Sequence, residues 1–355
     1  MVIQTMWKDR LLFSGLERPA VESIVERVNA LGRMGCGIVR FAVPDLATAE
    51  ALGFLAGMVS MPLVADIHFD YKIALRCMDF PIAKIRINPG NIGSKDKVKA
   101  VLEKAAKKGI PIRIGVNAGS LPQDLRLSNH SPLHTAQSLV EAAERELAVF
   151  DEFGFTNVLV SIKASGIADT IKANRILAER TRVPLHIGVT EAGPLVAGVA
   201  RSSAAIAALL ADGIGDTVRV SLSDNMENEV IAAREICGAA SELASAAPDG
   251  GFAGKMAKRL RRGGVSVVSC PRCGRHGFDT HGFCERWMPR LYALDRDMTV
   301  AIMGCEVNGP EEARHADLGI TGSGDRVLIF RHGKVVRTIA ASEADDAFEK
   351  ELAKH

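Results

Sequence analysis

The stretch Ile82-Ala83-Lys84-Ile85-Arg86-Ile87, then Lys95–Lys108, then Pro111-Ile112-Arg113-Ile114-Gly115-Val116 decides the fold. Two short β-branched runs flank an Ala/Leu/Glu-rich amphipathic segment. A strand, a helix and a strand in that order imply parallel pairing through a right-handed crossover. Working outward, the same unit recurs from the first residues to about residue 246. Strands are predicted at Val2–Met6, Gly37–Val43, Pro62–Phe69, Ile82–Ile87, Pro111–Val116, Asn157–Lys163, Pro184–Val189 and Asp216–Leu222. Helical patterns fill the gaps, among them Val21–Leu31, Asp45–Met58, Thr135–Phe150, Ala168–Arg180, Leu195–Asp212 and Glu227–Ala246. Eight such units match a (β/α)8 barrel, which typically takes ~250 residues. A doubly wound open sheet is the alternative, weakened because no Gly-rich dinucleotide fingerprint follows the first strand.

Past the barrel the composition changes. Ala-Pro-Asp-Gly-Gly and the basic Lys258–Arg262 read as a linker over residues 247–264, separating residues 1–246 from a smaller α+β domain, 265–355. Its strands are expected at Val265–Ser269, Thr299–Met303 and Val327–Arg337. The last is folded as a hairpin about His332-Gly333 and closed by a helix at Ser342–Lys354.

The 355 residues carry 44 Lys+Arg against 42 Asp+Glu, a net charge of +2. That balance argues against a nucleic-acid backbone or an acidic membrane as the main partner. Aromatic residues at 5% are too few for a base-stacking platform. Four positive charges within Lys258–Arg262 read as a solvated helix end, with nucleic-acid binding as the competing interpretation. No apolar run reaches the ~20 residues of a membrane span. Met1-Val2-Ile3-Gln4-Thr5 lacks the marks of a signal peptide, so a cytoplasmic protein is expected.

Active sites of such barrels gather at the C-terminal ends of the strands. Those ends are polar here: Asp66 and His68, Arg86 and Asn88, Arg113 and Asn117, Ser161 and Lys163, Glu191, Arg219 and Ser221, with Arg40 inside strand two. Any one of them could simply cap a strand in solvent. Four arginines and a lysine converging on one mouth point instead to a doubly anionic ligand, because guanidinium forks match phosphate oxygens. Glu191, the carboxylate among the cations, is a general acid/base candidate or an ion-pair partner.

Seven cysteines, an odd number, make a disulfide framework improbable. Cys270-Pro271-Arg272-Cys273 is a C-x-x-C knuckle, and Cys305 follows in Gly304-Cys305-Glu306-Val307-Asn308-Gly309-Pro310-Glu311-Glu312. A structural zinc site completed by Cys284 and an iron–sulfur cluster both fit the spacing. Three thiolates plus one weaker oxygen ligand suit a cluster with one reactive iron. Cys36, Cys77 and Cys237 read as buried small hydrophobes.

Taken together, these residues resemble the 4-hydroxy-3-methylbut-2-en-1-yl diphosphate synthases, iron–sulfur enzymes of the methylerythritol phosphate route to isoprenoids. The resemblance runs nearly end to end. It is carried by Val64–Phe69, Arg86–Gly93, Arg113–Ser120, Ser161–Ser165, His186–Gly193, Asp212–Ser221, Cys270–Arg275 and the Cys305-x-x-Asn308-Gly309-Pro310-x-Glu312-Ala313 pattern. It implies a [4Fe-4S] cluster on Cys270, Cys273, Cys305 and Glu312, and a cyclic diphosphate substrate opened with two electrons from reduced ferredoxin or flavodoxin. Arg40, Arg86, Arg113, Asn117, Ser161, Lys163, Arg219 and Ser221 match substrate-site positions, and Glu191 matches the acid/base. After the first strand the family usually reads Gln-Ser-Met-Thr-Asn-Thr, whereas this chain has Gln4-Thr5-Met6-Trp7-Lys8-Asp9. Glu306 and Glu311 replace residues usually apolar or Gly, and Cys284 has no counterpart.

Topology adds one expectation about assembly. The last barrel helix ends at the face opposite the strand ends, roughly 30 Å away at 1.5 Å per residue. The second domain is therefore expected to start on the wrong side of its own barrel. A linker of about 18 residues could reach back if fully extended, at up to ~3.3 Å per residue, but its basic helical stretch shortens that reach. A head-to-tail homodimer, also implied by the resemblance, brings each second domain to the partner's barrel mouth.

Overall fold

Each β-branched run of the first half becomes one strand of a parallel ring. The computed structural model describes residues 1–9, 11, 18–125, 132–246, 264–270, 276–305 and 309–354. The expected linker apart from Gly264, the Lys258–Arg262 stretch, Cys273 and Glu306 lie outside them. The chain divides into two units, Met1–Arg261 and Arg262–His355.

In the first unit the strands are β1 (Val2–Met6), β2 (Ile38–Ala42), β3 (Leu63–Asp66), β4 (Lys84–Ile87), β5 (Ile112–Asn117), β6 (Val158–Lys163), β7 (His186–Ile187) and β8 (Thr217–Val218). They pair in the order β6-β5-β4-β3-β2-β1-β8-β7. A parallel bridge between Val160 and Leu185 joins the two ends, with the Val160 N–H donating to the Pro184 carbonyl at 3.0 Å. The sheet is thus a closed (β/α)8 barrel, and the open-sheet alternative falls. Its helices are α1 (Arg18–Arg33), α2 (Leu46–Ala56), α3 (Tyr71–Cys77), α4 (Lys95–Lys108), α5 (Pro132–Glu152), α6 (Ile167–Arg180), α7 (Leu195–Ala211) and α8 (Met226–Ala246).

Local chemistry sets several boundaries. Asp45 caps α2 by accepting from the Thr48 N–H at 2.7 Å. Gly109 ends α4 in the left-handed conformation, φ 68°. β7 and β8 are shorter than the expected Pro184–Val189 and Asp216–Leu222. The Arg219 N–H still donates to the Ile187 carbonyl at 3.1 Å, but the chain then turns at Gly188, φ 153°, and β8 loses its ladder partner.

The second unit is a five-stranded sheet of β9 (Val265–Ser269), β10 (Met298–Ile302), β11 (Leu318–Ser323), β12 (Arg326–Arg331) and β13 (Lys334–Ala340), in the order β13-β12-β11-β10-β9. β9, β10 and β11 are parallel, whereas β11, β12 and β13 run antiparallel. His332 (φ 46°) and Gly333 (φ 78°) form the hairpin turn that two successive positive φ values favour. Two elements went unanticipated. β11 carries two glycines, one of which is obligatory: a Cβ on Gly319 would lie 2.1 Å from the Phe330 ring. The helix α9 (Thr280–Tyr292) contains Pro289. It packs Phe283, Trp287 and Leu291 into one core with Phe348 of α10 (Ala344–Leu352).

Candidate active site

The parallel register decides which side chains meet. Asp66 is level with Arg86, Arg86 with Arg113, Met6 with Arg40, Gly115 with Ser161 and Asn117 with Lys163. Successive strand residues point to opposite faces, so these aligned positions share the barrel interior. They line a cavity of about 180 Å³, with Met6, Arg40, Asp66, His68, Arg86, Arg113, Asn117, Ser161, Lys163, Thr190, Arg219 and Ser221 on its walls. Every residue expected to bind substrate is among them. Asn88 is buried and Glu191 exposed, and neither lines the cavity.

One glycine makes room for this crowding. A Cβ on Gly115 would sit 2.5 Å from Arg86 Nε, so the guanidinium occupies the space a side chain would take. Arg86 donates from Nη1 to Asp66 Oδ1 at 2.9 Å and from Nη2 to the Gly115 carbonyl at 3.4 Å. Asp66 also faces Arg40 Nε at 3.4 Å and His68 Nε2 at 3.5 Å. Arg113 donates to Gln4 Oε1 at 3.3 Å, and Ser161 Oγ donates to the Ile114 carbonyl at 3.3 Å. On the other wall, Arg219 Nη2 donates to Glu229 Oε1 at 3.3 Å.

Positive charge exceeds its local compensation. Arg40, Arg86, Arg113, Lys163 and Arg219 line the cavity against a single lining carboxylate, Asp66. The Nε atoms of all four arginines are buried without a hydrogen-bond partner. Burial, and then repulsion from Arg113, Arg219, Arg40 and Arg86, pushes Lys163 well below the ordinary lysine range. Burial and the neighbouring arginines likewise lower Arg113, and Arg40 is lowered to about 10 although Asp66 opposes the shift. Burial works to raise Asp66, but His68, Arg40, Arg86 and Arg113 outweigh it and hold the carboxyl well below its usual range. Such a mouth favours an anion with several oxygens.

Glu191 follows Thr190, a lining residue, on the loop after β7. Its φ of 52° places it among the few non-glycine residues in the left-handed region. Backbone strain of this kind is retained where the surroundings hold it. Thr190, Met6 and Gly115 were not anticipated as site residues, nor was Glu229. A methionine and a glycine in a strand, or a carboxylate in the first turn of a helix, read as ordinary structural choices until the barrel closes.

In the second unit Cys270 follows β9 and Cys305 follows β10, and the register sets Ser269 level with Ile302. The two thiols thus leave adjacent parallel strands at the same end. The Gly304 N–H donates to Cys270 Sγ at 3.0 Å, and a Cβ on Gly304 would lie 3.2 Å from that sulfur. A backbone donor on a sulfur in a cradle without a side chain fits a thiolate that binds metal. Glu312 is exposed, as is Glu311, which pairs with Arg314 at 3.4 Å. Cys284 Sγ lies 3.8 Å from Ser269 Oγ and packs on the aromatic core of the unit. Among the described residues no group of three His, Cys, Asp or Glu forms a metal site; the third expected thiolate, Cys273, lies outside them. Cys36, Cys77 and Cys237 are buried.

A closed barrel with a phosphate-competent cationic mouth, followed by a separate unit presenting thiols at parallel strand ends, defines a two-domain barrel enzyme class. Residues 1–234 match the GcpE TIM-barrel domain, and residues 266–354 match the GcpE protein C-terminal domain. The chain belongs to the GcpE family. It is 48% identical to the 4-hydroxy-3-methylbut-2-en-1-yl diphosphate synthase (flavodoxin) of Treponema pallidum, over 99% of this chain and 85% of that one. Proteins of the same name from Treponema denticola (48%, covering 96% and 86%) and Geobacter sulfurreducens (43%, covering 93% and 88%) are also similar.

Proposed function

We propose that this chain catalyses the reductive ring opening and dehydration of 2-C-methyl-D-erythritol 2,4-cyclodiphosphate. The product is 4-hydroxy-3-methylbut-2-enyl diphosphate, formed by uptake of two electrons and loss of water. The observation that carries this reading is the excess of cationic groups around a cavity of about 180 Å³ in a chain of the GcpE family. Arg40, Arg86, Arg113, Lys163 and Arg219 hold the two phosphoryl groups, and Asn117, Ser161 and Ser221 orient them by hydrogen bonds. A bound dianion relieves the repulsion among these cations and favours the charged form of Lys163. Glu191, on the loop beside Thr190, holds or delivers the proton that accompanies departure of the hydroxyl.

Cys270, Cys273, Cys305 and Glu312 hold a [4Fe-4S] cluster, with Glu312 as the oxygen ligand. When bound, the cluster would supply the electrons one at a time from reduced flavodoxin, the donor for which its relatives are named, or from ferredoxin. Supporting this donor set is the placement of Cys270 and Cys305 at the same end of paired strands, with the Gly304 N–H on Cys270. The enzyme works in the cytoplasm as a head-to-tail homodimer. The 21 residues of α8 carry the chain roughly 30 Å from the catalytic face, which favours a site completed by the partner's second domain.

Anaerobic incubation of iron-reconstituted protein with the cyclic diphosphate and reduced flavodoxin tests the activity. Stoichiometric formation of the linear diphosphate is expected. Iron-loaded protein that leaves the substrate unchanged would overturn the proposal.

A further inference from the structure

The most completely buried carboxylate near the mouth belongs to none of the motifs described above. Glu229 lies in the first turn of α8, its side chain 0% exposed. It gathers four partners from three parts of the barrel. Oε2 accepts from Thr5 Oγ1 of β1 at 2.7 Å, and Oε1 accepts from Arg219 Nη2 at 3.3 Å and from the Leu222 N–H at 3.0 Å. Lys8 Nζ reaches Oε1 at 3.1 Å. The same Lys8 donates to the Leu222 carbonyl at 2.8 Å and to the Asp224 carbonyl.

Lys8 belongs to the stretch that departs from the family's usual sequence, and all four departing residues, Thr5, Trp7, Lys8 and Asp9, are engaged. Trp7 stacks on Phe41, ring centroids 5.4 Å apart, and the Arg27 guanidinium lies over the Trp7 ring at 5.5 Å. Asp9 pairs with Arg27 at 3.2 Å. The loop is therefore latched to β2, α1 and the β8–α8 turn, and Glu229 is where the latch meets a substrate-site arginine. Glu229 alone would balance the charge of Arg219; with Lys8 on the same oxygen, one negative charge is shared between two cations, and the buried Arg219 Nε has no hydrogen-bond partner.

We infer that Glu229 is a positioning residue: it fixes the fork of Arg219 for a diphosphate oxygen, and Lys8 shares its charge so that Arg219 is not sequestered. This rests on the reading of the mouth as a diphosphate site. Charge alone predicts the opposite effect, because removing a carboxylate from a cationic mouth should tighten anion binding. The two roles therefore separate by sign.

The test is the affinity of the as-isolated protein for inorganic pyrophosphate, by calorimetry, alongside KM and kcat for the cyclic diphosphate. Glu229→Gln, nearly isosteric, should weaken pyrophosphate binding and raise KM, each by about tenfold, with a smaller change in kcat. In an Arg219→Lys background Glu229→Gln should have no further effect, since a residue acting through Arg219 loses its means of action. Lys8→Met, with an unchanged melting temperature as the check on folding, should weaken pyrophosphate binding about threefold as Glu229 draws Arg219 back. Wild-type protein that fails to bind pyrophosphate would sink the diphosphate reading and the inference with it. Normal binding by wild type with unchanged or tighter binding by Glu229→Gln, or equal losses in both Arg219 backgrounds, would overturn the positioning role alone.

Discussion

The backbone of Gly188 presses on Arg219: a Cβ at position 188 would lie 2.2 Å from the Arg219 carbonyl oxygen and 3.1 Å from Lys163 Nζ. This contact joins the end of β7, which precedes the acid/base candidate, to the end of β8, which leads into the proposed phosphate ligand Arg219. It also holds Gly188 at φ 153°, a conformation L side chains rarely adopt.

Gly188→Ala should therefore damage both stability and binding. Backbone strain of this kind costs about 1–3 kcal/mol, and displacement of Arg219 should raise KM several-fold. Calorimetric scanning should show the barrel transition lowered by at least ~3 °C. An alanine variant with wild-type melting and KM would mean that the β7–β8 contact can relax freely.

Lys84, in β4, provides a pH test away from the cavity lining. Burial, and then Arg113, lowers its pKa to about 8. In the unfolded chain it titrates near ~10.4. Below about 8 the folded protein bears the cost of a charged lysine; between there and ~10.4 the unfolded state binds the extra proton, so stability rises with pH. Lys84→Met should be more stable than wild type at pH 7, and the gap should close as pH rises through that window. Denaturant unfolding over the range measures it, and a constant gap would show that Lys84 is not perturbed.

Cys270→Ser, Cys273→Ser and Cys305→Ser should each lose the cluster, because a hydroxyl is a far poorer ligand for iron than a thiolate. Cys284→Ser should keep iron and activity, since burial raises that thiol's pKa and its sulfur sits by Ser269 and the aromatic core. Iron content and visible absorption after anaerobic reconstitution decide the matter. Loss of iron in Cys284→Ser would replace Glu312 with a fourth thiolate.

The proposed homodimer makes a quantitative claim. A mixed dimer of one Glu191→Gln chain and one Cys305→Ser chain holds one intact shared site and one doubly impaired site. Its activity should be near half that of wild type. Near-zero activity in a verified heterodimer would show that each chain uses its own cysteines.

Much of this protein was legible before any tertiary structure, because local patterns are physical constraints on the backbone. Alternating β-branched runs and amphipathic stretches admit few arrangements, and eight of them became a barrel. The polar residues at strand ends shared one period-two phase, which is why Arg40, Arg86, Arg113, Lys163 and Arg219 could be assigned to one mouth. His332-Gly333 announced its hairpin because few residue pairs accept two positive φ values.

Tertiary structure alone decided what depends on proximity between distant segments. Gly115 gives no sign in its own strand that Arg86 from the next strand fills its missing side chain. The strand Leu318–Ser323 went unread, because glycines weaken a strand pattern and only the fold shows that Phe330 occupies the space beside Gly319. Glu229 resembles any acidic residue at a helix start, where the helix dipole favours it; only barrel closure buries it against Thr5, Lys8 and Arg219. Periodicity is written in neighbouring residues and can be read along the chain, whereas burial and charge compensation are properties of residues brought together across it.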